Sequence, residues 1–287
     1  MTIRRVAVIG AGTMGHGIAY VACAAGYDVR LADADAATLA TGMRRIQEAF
    51  DKAIERGKAT PASRDAGLAR LTSAASAPEA AQEADLVIEA VPERLELKQS
   101  IFRDLERSMA PTAILGSNTS SLSITRIAEG LRHEERVVGL HFFNPVPVMK
   151  LLEIVRGERT SDKVVDAARA FATSLGKTPI VVRDSPGFAT SRLGVVLGLE
   201  AIRMLEQGVA SAEDIDRAME LGYNHPMGPL RLTDVVGLDV RLAIAEHLHA
   251  TLGDETYEPP ALLRRLVSEG KLGKKSGQGF YSWEKPR

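Results

Sequence analysis

The stretch Val8-Ile9-Gly10-Ala11-Gly12-Thr13-Met14-Gly15, with Asp33 following, constrains this chain more than any other feature. Val6 to Ile9 is a short apolar run suited to a buried parallel strand. Gly10 permits a tight exit turn, Gly12 lets the backbone approach a pyrophosphate, and Gly15 lets the next helix pack closely on its strand. With Thr13 and Met14 between them, these residues lead into a helix start whose N–H groups face phosphate oxygens. Asp33 ends the next apolar run, Val29 to Ala32, where a carboxylate accepts hydrogen bonds from a ribose diol. The same carboxylate repels a 2′-phosphate, so NAD is favoured over NADP.

From Val6 to Tyr27 there is no Asp, Glu, Lys or Arg, and Arg4-Arg5 precede the run. That is superficially the pattern of a signal peptide or membrane span. Five glycines interrupt it, giving strand-turn-helix grammar instead. With 287 residues, two domains are expected, and 45% apolar content supplies an aliphatic core. A net charge of −1 selects neither nucleic acid nor an anionic membrane. The single cysteine, Cys23, lies on the apolar face of the first helix and reads as a small core residue, which fits a cytoplasmic setting. Nothing in the pattern calls for a metal.

Strand-like runs recur at 6–9, 29–32, 86–91, 113–115, 137–140, 151–155 and 180–182, most of them separated by helix-like stretches. This βα alternation predicts an α/β fold, a Rossmann-type doubly wound domain. Helices are expected over 36–56, over 95–109 and from a Ser161 cap to about 175. After Ser185-Pro186-Gly187 the strand runs stop, so an all-helical C-terminal domain is expected, with boundaries 1–184 and 185–287. Between Arg192 and Glu200 the apolar residues cover every helix face, which predicts burial all round and, in so small a domain, a homodimer. Further helices are expected over 234–252 and 260–269. The tail 272–281 is too glycine-rich for regular structure and reads as an ordered loop or a mobile lid.

Gly116-Ser117-Asn118-Thr119-Ser120-Ser121 sits between a strand and a helix, where the carboxyl ends of strands form a ligand crevice. Helix capping needs only one such residue, so capping and a ligand role both stand. His141 ends a strand and is placed to act as a general base near neutral pH. Glu153, inside an apolar run, needs a partner. His141 is one; two unrelated residues is the other reading.

Five segments carry a resemblance: 10–15 (Gly-Ala-Gly-Thr-Met-Gly), 117–122 (Ser-Asn-Thr-Ser-Ser-Leu), 141–150 (His-Phe-Phe-Asn-Pro-Val-Pro-Val-Met-Lys), 225–229 (His-Pro-Met-Gly-Pro) and 273–281 (Gly-Lys-Lys-Ser-Gly-Gln-Gly-Phe-Tyr). In that order the chain resembles the short-chain L-3-hydroxyacyl-CoA dehydrogenases, especially the bacterial 3-hydroxybutyryl-CoA enzymes of fatty acid metabolism. The resemblance implies an NAD-binding Rossmann domain, a helical dimerisation domain and an acyl-CoA substrate between them. It also implies His141 as base, Glu153 as its orienting partner, Ser120 as donor to the reacting oxygen and Asn144 in the pocket. Glu93, Lys98, Asn118 and Lys275 match positions near the dinucleotide, and Lys52 and Arg56 match coenzyme A contacts. Those two stand four apart on one helix face, a spacing suited to phosphate and equally to an ordinary solvated face. One position departs. Where the family has Asn in Pro-Gly-Phe-x-x-Asn-Arg, this chain has Ser191, shorter and without two N–H donors. That puts substrate range and rate in question, with a dehydrogenase of another hydroxy acid, or a non-catalytic NAD-binding relative, as the rival readings.

Overall fold

A computed structural model describes residues 2–284. The chain divides into two compact units, one ending at Ser185 and the other starting at Pro186. The first contains β1 (Arg5–Ile9), α1 (Gly15–Ala24), β2 (Asp28–Ala32), α2 (Ala36–Glu55), α3 (Pro61–Leu68), β3 (Leu71–Ser73), α4 (Ala77–Ala81), β4 (Leu86–Glu89), α5 (Leu95–Ser108), β5 (Ile114–Ser117), α6 (Ile124–Ala128), β6 (Val137–Phe142), β7 (Leu151–Arg156), α7 (Asp162–Ser174) and β8 (Thr178–Arg183). Their sheet runs β3-β2-β1-β4-β5-β6-β7-β8. All neighbours are parallel except β6 and β7, which are antiparallel. This is the expected Rossmann-type sheet. Its strand order reverses at β1, so the crevice opens beyond the carboxyl ends of β1 and β4.

The central strands are buried on both faces, and Val6, Val8, Val29, Leu31, Leu86 and Ile88 join one core with Ile18 and Cys23 of α1. Continuous apolar runs are what a doubly covered parallel strand requires. Burial pushes the Cys23 thiol up to about 12, consistent with a packing role. Strand β3 escaped sequence reading because Leu71-Thr72-Ser73 has one apolar residue and forms an edge. Ser161 does occupy the N-cap of α7, but its side chain makes no capping bond.

The second unit holds α8 (Thr190–Glu206), α9 (Ala212–Gly222), α10 (Pro229–Val236), α11 (Leu238–Leu252) and α12 (Ala261–Ser268). Two expectations are corrected there. Helix α8 is not buried all round: Val195 and Leu199 are in the core, while Leu193 is 72% exposed. The single helix expected over 234–252 is two, broken at Gly237, whose φ of 106° no helix accommodates. The glycine-rich tail is an ordered loop with a short 3-10 turn at Lys274–Ser276. Buried Asp234 holds it, accepting from Phe280 N, Tyr281 N and Trp283 Nε1 at 2.9, 2.9 and 2.7 Å.

Candidate active site

The glycine turn between β1 and α1 behaves as its residues require. Gly10 has φ of 100°, and a Cβ there would sit 2.7 Å from Ala90 O. A Cβ on Gly15 would lie 1.6 Å from Gly10 O, so only glycine lets α1 pack on this turn. Gly12 instead faces open space. A cavity of about 760 Å³ opens there, lined among others by Gly10, Gly12, Thr13, Met14 and Asp33. No side chain caps α1, and apart from His16 N, which bonds Gly12 O at 3.3 Å, its first N–H groups are left to what enters that cavity. Asp33 Oδ2 accepts from Ala11 N at 2.7 Å and Oδ1 from Asp35 N at 2.9 Å. Each carboxylate oxygen keeps a second acceptor position for a ribose hydroxyl. These residues therefore fit a dinucleotide.

A second group of polar residues lies at the ends of β4 and β5. Ser123, not the cluster before it, caps α6, accepting from Arg126 N and donating to Asp184 Oδ2. The cluster 117–121 serves two carboxylates instead. Ser117 donates to Glu89 Oε2 at 2.6 Å. Glu93 Oε1 accepts from Thr119 Oγ1 at 2.6 Å and Ser120 N at 2.9 Å, with the Ser120 and Ser121 hydroxyls at 3.3 Å. Burial works to raise the Glu93 carboxyl, but the Lys98 charge and these hydrogen bonds outweigh it and hold it below the ordinary value. Lys98 is itself buried, 2.6 Å from Glu89 and 3.3 Å from Glu93. The family resemblance implies Lys98 near the dinucleotide but does not single out Glu89, although a carboxylate closing Leu86-Val87-Ile88 is the same signal as Glu153 within its apolar run. Asn118 Oδ1 accepts from Phe142 N at 2.9 Å and so ties β5 to the end of β6.

His141 and Glu153 are direct cross-strand partners on β6 and β7. Opposed residues of an antiparallel pair project from the same face, which brings side chains twelve positions apart into contact. His141 Nδ1–H donates to Glu153 Oε2 at 2.7 Å, since a carboxylate only accepts. Glu153 is fully buried and His141 nearly so. His141 lies in the strand, which extends to Phe142, and not at its end. Lys177, also missed in the sequence, donates to Val146 O and Met149 O at 2.7 and 2.8 Å and fixes the loop between these strands. Burial holds its ammonium below the ordinary lysine value.

Residues 5–185 match the 3-hydroxyacyl-CoA dehydrogenase NAD binding domain, and residues 187–283 match the C-terminal domain of the same enzymes. The chain belongs to the 3-hydroxyacyl-CoA dehydrogenase family. It is 45% identical over 284 residues to a probable 3-hydroxybutyryl-CoA dehydrogenase of Bacillus subtilis, covering 99% of each chain. It is 41% identical to the mitochondrial hydroxyacyl-coenzyme A dehydrogenase of Homo sapiens, covering 98% of this chain and 92% of that one. The solved structure of (S)-3-hydroxybutyryl-CoA dehydrogenase from Ralstonia eutropha superposes with a TM-score of 0.95 at 41% identity, over 99% of this chain and 100% of that one.

The remaining family positions are placed as follows. Asn144 is exposed in the loop after β6, and Ser191 is half-buried in the first turn of α8. Lys275 pairs with Asp239 at 2.6 Å within the second unit. Lys52 and Arg56 are exposed at the carboxyl end of α2, and neither makes an ion pair among the described residues. Cations at that end also suit the helix dipole.

Proposed function

We infer that this family member catalyses the NAD-dependent, reversible oxidation of a short-chain L-3-hydroxyacyl-CoA, such as 3-hydroxybutyryl-CoA, to the 3-ketoacyl-CoA. The observation that carries this reading is the 2.7 Å pair of His141 and buried Glu153. With Nδ1–H committed to Glu153, Nε2 of His141 is the nitrogen that takes the hydroxyl proton. Glu153 holds the ring in that tautomer and offsets the imidazolium charge that develops. Ser120 is the donor to the reacting oxygen. Thr119 and the Ser120 amide already take the short bonds to Glu93, so the Ser120 hydroxyl, at 3.3 Å, is weakly held and can turn to the substrate. NAD supplies the hydride acceptor when bound. Gly10, Gly12, Thr13, Met14, Gly15 and Asp33 are the residues that would hold it, with Glu93, Lys98, Asn118 and Lys275 as the further contacts the family resemblance suggests.

Lys52 and Arg56 would meet the phosphates of coenzyme A; their exposure, with no ion-pair partner for either among the described residues, supports this. Asn144 and Ser191 are assigned to acyl fit. A homodimer is supported by apolar side chains exposed on the second unit, Leu193, Val235, Val236 and Val240. Among the described residues no helix is long and apolar enough to cross a membrane. A cytoplasmic setting agrees with the lone, buried Cys23.

NADH formation measured across 3-hydroxyacyl-CoA chain lengths tests the reading. Turnover should be fastest with short acyl groups and absent when the coenzyme A moiety is removed. Ser191→Ala should lower kcat/KM by roughly tenfold, the scale of one neutral hydrogen bond. Turnover by a Ser191→Asn variant alone would identify the native chain as a non-catalytic relative.

A further inference from the structure

Glu89 closes β4 with no solvent exposure, in a position that packing alone would give to an aliphatic residue. Its Oε1 accepts from Lys98 Nζ at 2.6 Å and Val91 N at 2.7 Å, and Oε2 from Ser117 Oγ at 2.6 Å. Lys98, 1% exposed, reaches Val91 O and the Oε2 of Glu93, both at 3.3 Å. Glu93 in turn takes the amide and hydroxyl of Ser120 on its other oxygen. One buried ammonium thus stands between two carboxylates and lies closer to Glu89. A charge in such surroundings is held firmly, because an unpaired ion there is costly.

We propose that Glu89 is a positioning residue for the reaction. It holds Lys98 back from Glu93, so that Glu93 keeps the Ser120 amide at 2.9 Å and fixes the residue whose hydroxyl turns to the reacting oxygen. This rests on the role of Ser120 in the proposed function. Without the Glu89 charge, Lys98 has one carboxylate left to pair with. Its ammonium closes on Glu93 and draws it from Ser120.

Glu89→Gln keeps the side chain's size and an acceptor for Val91 N while removing the charge. In the full-length enzyme with NAD and 3-hydroxybutyryl-CoA, it should lower kcat by about ten- to a hundredfold, the scale of a hydrogen bond to a charged group. The KM for the acyl-CoA should stay within about twofold, because binding common to the ground and transition states is untouched. In a Ser120→Ala background the same change should cost less than about twofold, since the hydroxyl it positions is gone. An undiminished loss in that background would overturn the proposal, as would an unchanged kcat for Glu89→Gln alone. If Ser120→Ala leaves kcat intact while Glu89→Gln lowers it, the role given to Ser120 fails, and this inference with it. If Ser120→Ala lowers kcat and Glu89→Gln does not, only the inference about Glu89 fails. Should Glu89→Gln not fold, Glu89→Asp keeps the charge but withdraws the carboxylate from Lys98 by one methylene and serves the same test. Its kcat loss should be a few-fold and should vanish in the Ser120→Ala background; a loss that persists, or none at all, counts against the proposal.

Discussion

A carboxylate in the middle of a buried strand costs several kcal/mol unless something neutralises or hydrogen-bonds it. Glu153 sits at that position with His141 Nδ1 as its partner, and Glu89, at the equally buried end of β4, is met in the same way by Lys98. His141→Ala should lower kcat by about two to four orders of magnitude, the usual range for loss of a general base. Adding Glu153→Gln should then change steady-state turnover little, because an orienting group has nothing left to orient; full additivity would show that the two act separately. Asp33 poses a different problem, since each of its oxygens already binds one backbone N–H. Asp33→Ala should weaken NAD by roughly 1–3 kcal/mol where buried ribose hydroxyls lose an acceptor. A fluorescence titration with NADH and NADPH should also show a narrower gap between the two. Asp33 was legible in the sequence because it closes an apolar run at a fixed distance from the glycine turn. The roles of Glu89, Lys98 and Lys177 were not, because each depends on a partner from another segment.

At the scale of elements, the antiparallel pairing of β6 and β7 makes the acid-base pair. A one-residue slip would send one of the two side chains to the opposite face of the sheet. Ser117 to Ser121 show the same dependence: their sequence fits capping and a ligand role alike, whereas in the fold Ser123 caps α6 and Glu89 and Glu93 collect the hydroxyls of Ser117, Thr119, Ser120 and Ser121. The end of α2 carries two cations whose spacing alone fits a solvated face as well as a phosphate clamp. Replacing Lys52 and Arg56 together with Ala should raise KM for the acyl-CoA and leave kcat nearly unchanged, since the nucleotide end is bound alike in ground and transition states. Added salt should raise the native KM in the same direction. An unaltered KM in the double variant would mark both as ordinary surface charges.

Across the whole molecule, the second unit keeps its own core while leaving large apolar side chains exposed, Leu193 among them. Sedimentation should give a two-chain particle, and Leu193→Glu should shift it toward one chain; an unshifted dimer would locate the interface elsewhere. Sequence alone determined the Rossmann-type sheet, the dinucleotide turn and the helical character of the C-terminal unit. These follow from local rules: runs of apolar residues suit doubly covered strands, glycine supplies the φ and the close approach that side chains forbid, and helix periodicity is written in neighbouring residues. Tertiary structure decided the rest. It broke the helix expected over 234–252 at Gly237, ordered the glycine-rich tail on Asp234, exposed one side of α8 and paired Glu89 with Lys98 and Glu153 with His141. Those outcomes turn on which distant segments share a face, and a buried charge is tolerated only where that register brings its partner within hydrogen-bond reach.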